Sequence, residues 1–149
     1  MEVVATLRFL TPSLGNARGE RRDRMLYSTE GEVVYLQSWW RSSLGYAAQA
    51  LCRHQGTIDK IQADPVVRGP VSIHKRFYSP TSFKEHEAFL AGTEVEVRFM
   101  LPKKLRLEAF RELLETAGKY AGISPYGYKQ DYGRFIVVDV RSGSNHKDR

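Results

Sequence analysis

Gly122, Gly127 and Gly133 punctuate a stretch that also carries Tyr126, Tyr128, Tyr132, Lys129 and Arg134. Aromatic rings stack unpaired bases, cations hold phosphates, and glycine lets a backbone amide approach a ligand closely, so this composition suits single-stranded nucleic acid. The same residue types also build an ordinary tight connector. Positive charge gathers in two further places. Arg18, Arg21, Arg22 and Arg24 crowd one stretch, diluted by Glu20 and Asp23, and Arg68, His74, Lys75 and Arg76 interleave with Phe77 and Tyr78. Each set fits either a phosphate-tracking surface or a solvated polar face with weak internal ion pairs.

Other chemistries find little support. The histidines, His54, His74, His86 and His146, and the single Cys52 show no CxxC, no HExxH and no His pair at helical spacing, so no metal site is expected. Neither GxxxxGKS/T nor GxGxxG follows a strand and opens a helix. The glycines from 122 to 133 stand between a helix and a strand, the opposite order, which argues against an NTPase or a dinucleotide enzyme and leaves no cofactor expected. For acid–base catalysis only His54 and His74 come forward, as weak candidates. His54 falls at the end of a helix, where it reads equally as a cation on the helix dipole.

The elements that must position these residues follow from periodicity. Alternation over Val3–Phe9 predicts a first strand, and residues 11–24 lack apolar periodicity and read as an exposed loop. Met25–Tyr27 and Val33–Leu36 flank a Gly31-containing connector and predict a short ribbon. With Ser38 as N-cap, Trp40, Leu44, Ala47, Ala48 and Leu51 define one face of a helix over about 39–53, closed by Gly56. Of the adjacent tryptophans, Trp40 belongs to that face, and Trp39 is expected to pack under an insertion. Thr57–Ile61 alternates as a short strand. Residues 62–92, interrupted by Pro65, Gly69, Pro70 and Pro80, read as an insertion with an irregular strand or hairpin arm. Thr93–Met100 gives the clearest strand, stopped by Pro102. Leu107, Phe110, Leu113, Leu114 and Ala117 stripe a helix over about 105–120, and Arg134–Val140 is the last strand. Residues 142–149 form a polar tail expected to fray.

The chain therefore reads as α+β, a ferredoxin-like βαββαβ sheet with two helices on one face plus a β-hairpin insertion. The opposite sheet face must be covered by the insertion, a second subunit or a ligand. With 149 residues, 23 Lys and Arg against 17 Asp and Glu, and a net charge of +6, a single domain over 1–149 is expected, with polyanions among its plausible partners. One cysteine excludes an internal disulfide and fits a reducing, cytoplasmic setting. No apolar run approaches the length of a membrane span, so no membrane partner is expected.

These residues give the chain a resemblance to the RAMP superfamily, the ferredoxin-like RNA-binding proteins of CRISPR effector and processing complexes. Ala117–Ser124 through Tyr132-Gly133-Arg134-Phe135-Ile136-Val137 resembles the family's glycine-rich loop between its second helix and fourth strand. Ser38-Trp39-Trp40-Arg41-Ser42-Ser43-Leu44-Gly45 resembles the first-helix opening of its backbone-forming branch. The loop here is richer in tyrosine and poorer in glycine than full family examples. The first helix also lacks the early histidine that the family's endonucleases often carry.

The resemblance implies a non-enzymatic module that binds single-stranded RNA or DNA, RNA preferred, by backbone contacts with tyrosine stacking. Arg41 and Ser42 on the first helix, Tyr126, Tyr128, Lys129 and Arg134 around the loop, and Arg21, Arg22, Lys75 and Arg76 as supporting cations would form the site. It further implies a homo-oligomer or larger ribonucleoprotein assembly, and a solitary copy of the kind phages and mobile elements carry. Two alternatives stand beside it. One is a metal-independent endoribonuclease of the RAMP type; the other is an interaction module that engages a RAMP-like assembly.

Overall fold

In a computed structural model, which describes residues 1–19, 21–69, 72–123 and 131–143, four strands form the central sheet. They are β1 (Glu2–Phe9), β5 (Gln62–Ala63), β8 (Glu94–Met100) and β9 (Phe135–Ser142), in the order β5-β8-β1-β9 with every neighbouring pair antiparallel. This mixed α+β order is compatible with the ferredoxin-like arrangement. Alternation decides which face is buried: Val3, Ala5, Leu7 and Phe9 of β1 and Val95, Val97 and Phe99 of β8 enter the main core. That core is completed by helices α1 (Gln37–Ala50) and α3 (Leu107–Tyr120), whose buried stripes are Trp40, Leu44, Ala47, Ala48 and Phe110, Leu113, Leu114, Ala117. Trp40 sits edge-on to Phe99 at 5.1 Å, and Phe99 to Phe110 at 4.9 Å.

Four local expectations are corrected. Residues 11–24 are not an exposed loop. They contain β2 (Ser13–Leu14), β3 (Ala17–Arg18) and β4 (Asp23–Arg24), which join the hairpin of β6 (His74–Ser79) and β7 (Lys84–Phe89) in a second, five-stranded sheet. Two-residue strands are too short to show periodicity, and the pairing of β2 and β4 with β7 is long-range.

Ser38 is not the N-cap either. Leu36 takes that place without a side-chain hydrogen bond, and Ser38 lies in the first turn. The helix ends before Gly56: Cys52 takes φ 56°, and Arg53 N–H donates to Ala48 O at 2.7 Å while Cys52 N–H donates to Gln49 O at 3.2 Å. These two bonds form the six-to-one and five-to-two closure that usually has glycine at the left-handed position.

Thr57–Ile61 does not form a strand. α2 (Gln55–Ile58) is a single helical turn there, and the sheet edge is taken instead by β5, inside the stretch read as insertion. Trp39 is half-buried, tilts against Tyr35 at 5.6 Å and packs on the main core, to which Val67 and Phe89 of the stretch read as insertion also belong.

The ribbon before α1 is present as a bridge between Tyr27 and Val33, with Ser28 N–H donating to Glu32 O at 2.8 Å. No helix among the described residues is long and apolar enough to cross a membrane.

Candidate nucleic-acid interface

The tyrosine-bearing residues Tyr126, Tyr128 and Lys129 lie outside the described residues, but the root from which that segment springs is well defined. Gly122 (φ 75°) and Gly133 (φ 72°) face each other across it, and Ile123 N–H donates to Gly133 O at 2.9 Å. A Cβ at Gly133 would run into the Ile123 carbonyl, and one at Gly122 would lie 2.8 Å from Tyr132 O, so glycine is required at both places by sterics as well as by φ. Three residues from elsewhere in the chain hold this root. Buried Ser43 on α1 donates to Gly122 O at 2.7 Å, Ser13 on β2 donates to Ile123 O at 3.1 Å, and Gly133 N–H donates to Pro12 O at 2.8 Å.

Tyr132 does not offer its ring to a base. It is 9% exposed, packs against Phe77, Leu14 and Ala88, and its hydroxyl reaches Ser79 at 2.8 Å and Thr81 at 3.0 Å. Arg134 is likewise engaged inside the fold. Its guanidinium donates to the Lys119 carbonyl at the end of α3 and pairs with Asp131.

The sequence-selected cations separate into two groups. Arg21, Arg22 and Lys75 meet around one pocket, with Arg24 and Glu87 completing its lining. Chain order hid this meeting, because β4 and β7 are brought together by parallel pairing of Asp23 with His86. Alternation along β7 then sends Glu87 to the side of Met25 and Tyr27, and His86 to the other.

Glu87 is the buried centre, its side chain 5% exposed. Its Oε1 accepts from Met25 N–H at 2.9 Å and from the Tyr27 hydroxyl at 2.7 Å. Lys75 Nζ lies 3.7 Å from Oε2. Burial pushes the Glu87 carboxyl up, but the Tyr27 and Met25 hydrogen bonds, with the Lys75 and Arg24 charges, outweigh it and hold it below the ordinary carboxylate value. Burial and the same hydrogen bond push the Tyr27 phenol up to about 12. The Arg24 guanidinium lies over the Tyr27 ring at 5.7 Å. A fixed, ionised carboxylate thus sits beneath four cations, and the pocket carries net positive charge.

The second group is dispersed. Arg41 lies 4.0 Å from Asp59, Arg76 pairs with Glu85 at 3.0 Å, and Ser42 is exposed on α1. Of the two histidines, His74 is exposed on β6, and His54 is the N-cap of α2 rather than a cation at the end of α1: its Nδ1 accepts Gly56 N–H at 3.0 Å. Buried His86 links Gly15 O at 2.7 Å to the Ser82 hydroxyl at 2.7 Å and braces the second sheet. No cluster of metal-ligating side chains occurs among the described residues.

Sequence reasoning missed Glu87, Tyr27 and the role of Arg24: Glu87 follows Lys84-Glu85-His86, and nothing in the sequence separates it from the neighbouring Glu85. It also missed an aromatic and cationic groove between the ends of α1 and α3, lined by Tyr46, Lys119 and Tyr120, with Lys119 Nζ 5.2 Å from the Tyr120 ring.

No protein-family model and no curated protein matches the chain. Solved structures do resemble it. A chain of the structure titled "Type IV-B CRISPR Complex" aligns with TM-score 0.53 and 10% identity, covering 97% of this chain and 92% of that one. Cmr1 from Pyrococcus furiosus (apo form) aligns with TM-score 0.44 and 12% identity over 99% of this chain, which spans 52% of that protein. At such identities the likeness to the CRISPR-complex chain is a likeness of fold alone.

Proposed function

We propose that this chain is a non-catalytic module that holds single-stranded nucleic acid through its phosphates, as one component of a larger ribonucleoprotein assembly. The observation that carries the reading is the convergence of Arg21, Arg22, Arg24 and Lys75 on one pocket from segments far apart in sequence. Like charges repel when gathered, and one already hydrogen-bonded carboxylate does not neutralise four cations, so the arrangement favours a polyanion that releases counterions on binding.

The glycine-pinned root supports the reading by holding Ile123 and Gly133, between which Tyr126, Tyr128 and Lys129 stand in the sequence. In this reading those tyrosines stack bases, and Arg41, Ser42, Arg76 and Arg134 play supporting parts. The fold shared with a chain of a CRISPR complex makes a ribonucleoprotein setting the natural context. Backbone contacts dominate, so sequence preference is weak.

The test is fluorescence anisotropy with single-stranded oligonucleotides of several unrelated sequences, titrated with salt. Binding of all sequences with a linear fall of log affinity against log salt is expected, and Arg22→Ala and Lys75→Ala each lower the slope by about 0.7. Absence of binding at low salt, or unchanged binding when Arg21, Arg22, Arg24 and Lys75 are all replaced by Ala, overturns the reading.

A further inference from the structure

A carboxylate is an unexpected floor for a phosphate site, because it repels the anion that the surrounding cations attract. Glu87 is nevertheless held there firmly. Its Oε1 has both acceptor positions filled, by Met25 N–H and the Tyr27 hydroxyl. Its Oε2 faces the pocket with no hydrogen bond from any described residue; Lys75 Nζ, at 3.7 Å, is an ion-pair partner beyond hydrogen-bond reach. Beside Glu87 the pocket has room for a small polar group, about 400 Å³, with Arg21, Arg22, Arg24 and Lys75 around it.

The ligand that fits must therefore present negative charge to the walls and a neutral hydrogen-bond donor to the floor. Along a polynucleotide the phosphates recur, and the donor that recurs between them regardless of base is the 2′-hydroxyl of ribose.

We propose that Glu87 Oε2 accepts a hydrogen bond from a ribose 2′-hydroxyl of a strand whose neighbouring phosphates lie on Arg21, Arg22, Arg24 and Lys75, so that this pocket selects RNA over DNA. The proposal rests on the nucleic-acid reading above and names the class of polymer bound. It also gives the carboxylate a use: a deoxyribose leaves Oε2 without its donor while the repulsion on the flanking phosphates remains.

Uridine oligomers are the discriminating probes, because the three strands share the same base, with its N3–H as the one base donor, and differ only at the 2′ position. Oligo(U), its 2′-fluoro analogue and oligo(dU) of equal length are titrated at one low salt concentration. The 2′-fluoro sugar keeps the ribose pucker but cannot donate, so pucker and hydrogen bonding separate. The wild-type protein is expected to bind oligo(U) about tenfold more tightly than the 2′-fluoro strand, the effect of one hydrogen bond to a charged acceptor.

In Glu87→Gln the side-chain carbonyl still accepts from Met25 and Tyr27 and an amide replaces the free oxygen. All three strands should then bind more tightly as repulsion is removed, and the ratio between oligo(U) and the fluoro strand should fall toward one. Equal binding of the ribose and fluoro strands by wild type overturns this proposal alone, whether or not the variant folds. Failure to bind any of the three at low salt overturns the nucleic-acid reading and this proposal with it.

Discussion

The root of the glycine-rich segment and the basic pocket are built on opposite principles. At the root, backbone meets backbone at the limit of contact: Gly122 and Gly133 leave no space for a methyl group, and Ser13, Ser43 and Pro12 occupy the polar groups around them. At the pocket, Arg21, Arg24 and Lys75 are exposed, and only the carboxylate beneath them is fixed. The root therefore specifies shape and tolerates almost no change of volume. The pocket specifies charge and tolerates movement. A site that grips a flexible polymer needs both, and the two are separable by measurement.

The largest effect is expected at the root. Gly133→Ala places a side chain against the Ile123 carbonyl at positive φ, which should cost about 3 kcal/mol or more and lower the melting temperature by roughly 6–12 °C. Thermal unfolding followed by circular dichroism checks this; a shift under 2 °C would mean the root can relax. Ser43→Ala is the milder version. It strands the buried Gly122 carbonyl and should cost about 1–3 kcal/mol. If the root behaves as described, both variants lose nucleic-acid affinity only to the extent that they lose fold.

At the pocket the pattern inverts. Arg22→Ala should leave the melting temperature nearly unchanged, since partly exposed cations contribute little to stability, yet weaken oligonucleotide binding about threefold to tenfold at low salt. A variant that lost stability and binding in parallel would erase the distinction between root and pocket.

The contrast also explains what was legible in the sequence. Most of the main sheet was readable because β8 alternates over its whole length, β1 alternates from Ala5 to Phe9 and α3 keeps a full apolar stripe, whereas β5 is only two residues long. The root was half readable: the glycines of 122–133 stood out as a turn, but nothing in a one-dimensional string shows that Ser43 and Ser13 are its partners. The pocket was readable only as loose charge. Arg21 and Arg22 belong to a stretch with no periodicity, Lys75 to an arm of unknown path, and their meeting depends on β4 lying parallel to β7. The second sheet escaped notice because three of its strands are two residues long, and two of them, β2 and β4, pair with β7 far along the chain. Ser38 and Gly56 misled because the helix ends are set by tertiary docking and a left-handed Cys52, against local preference.

Acid sharpens the comparison further. The folded Glu87 carboxyl lies below its ordinary value, so it stabilises the protein at pH above the usual glutamate range, and this contribution disappears as pH falls through the folded value. Wild type and Glu87→Gln should accordingly differ in stability at neutral pH and converge as pH falls below the ordinary glutamate range. Convergence is read from melting temperatures over a pH series. At the alkaline end Tyr27 gives the complementary sign. Its phenol ionises near 12 in the fold against 10.0 for a free tyrosine, so stability falls between those values, and Tyr27→Phe should flatten that fall.

The smallest effect is expected on the solvent-facing side of the central sheet, which supplies the control for charge. It too carries arginines, but each has an acidic partner: Arg8 with Glu94 at 2.7 Å, Arg98 with Glu96 at 3.2 Å, and Arg141 with Asp139 at 2.9 Å and Glu96 at 3.4 Å. A surface that neutralises itself has little field to offer a polyanion, although the same ladder of alternating signs suits a partner subunit with the complementary order. Arg8→Ala removes one exposed pair, and the expected cost is at most about 0.5 kcal/mol, with oligonucleotide affinity changed less than twofold. The decisive result is the ratio of the two arginine variants. If Arg8→Ala weakens binding as much as Arg22→Ala does, net charge alone governs association and the pocket has no special standing. If Arg22→Ala dominates, it is the placement of the cations around Glu87, and not their number, that makes the site.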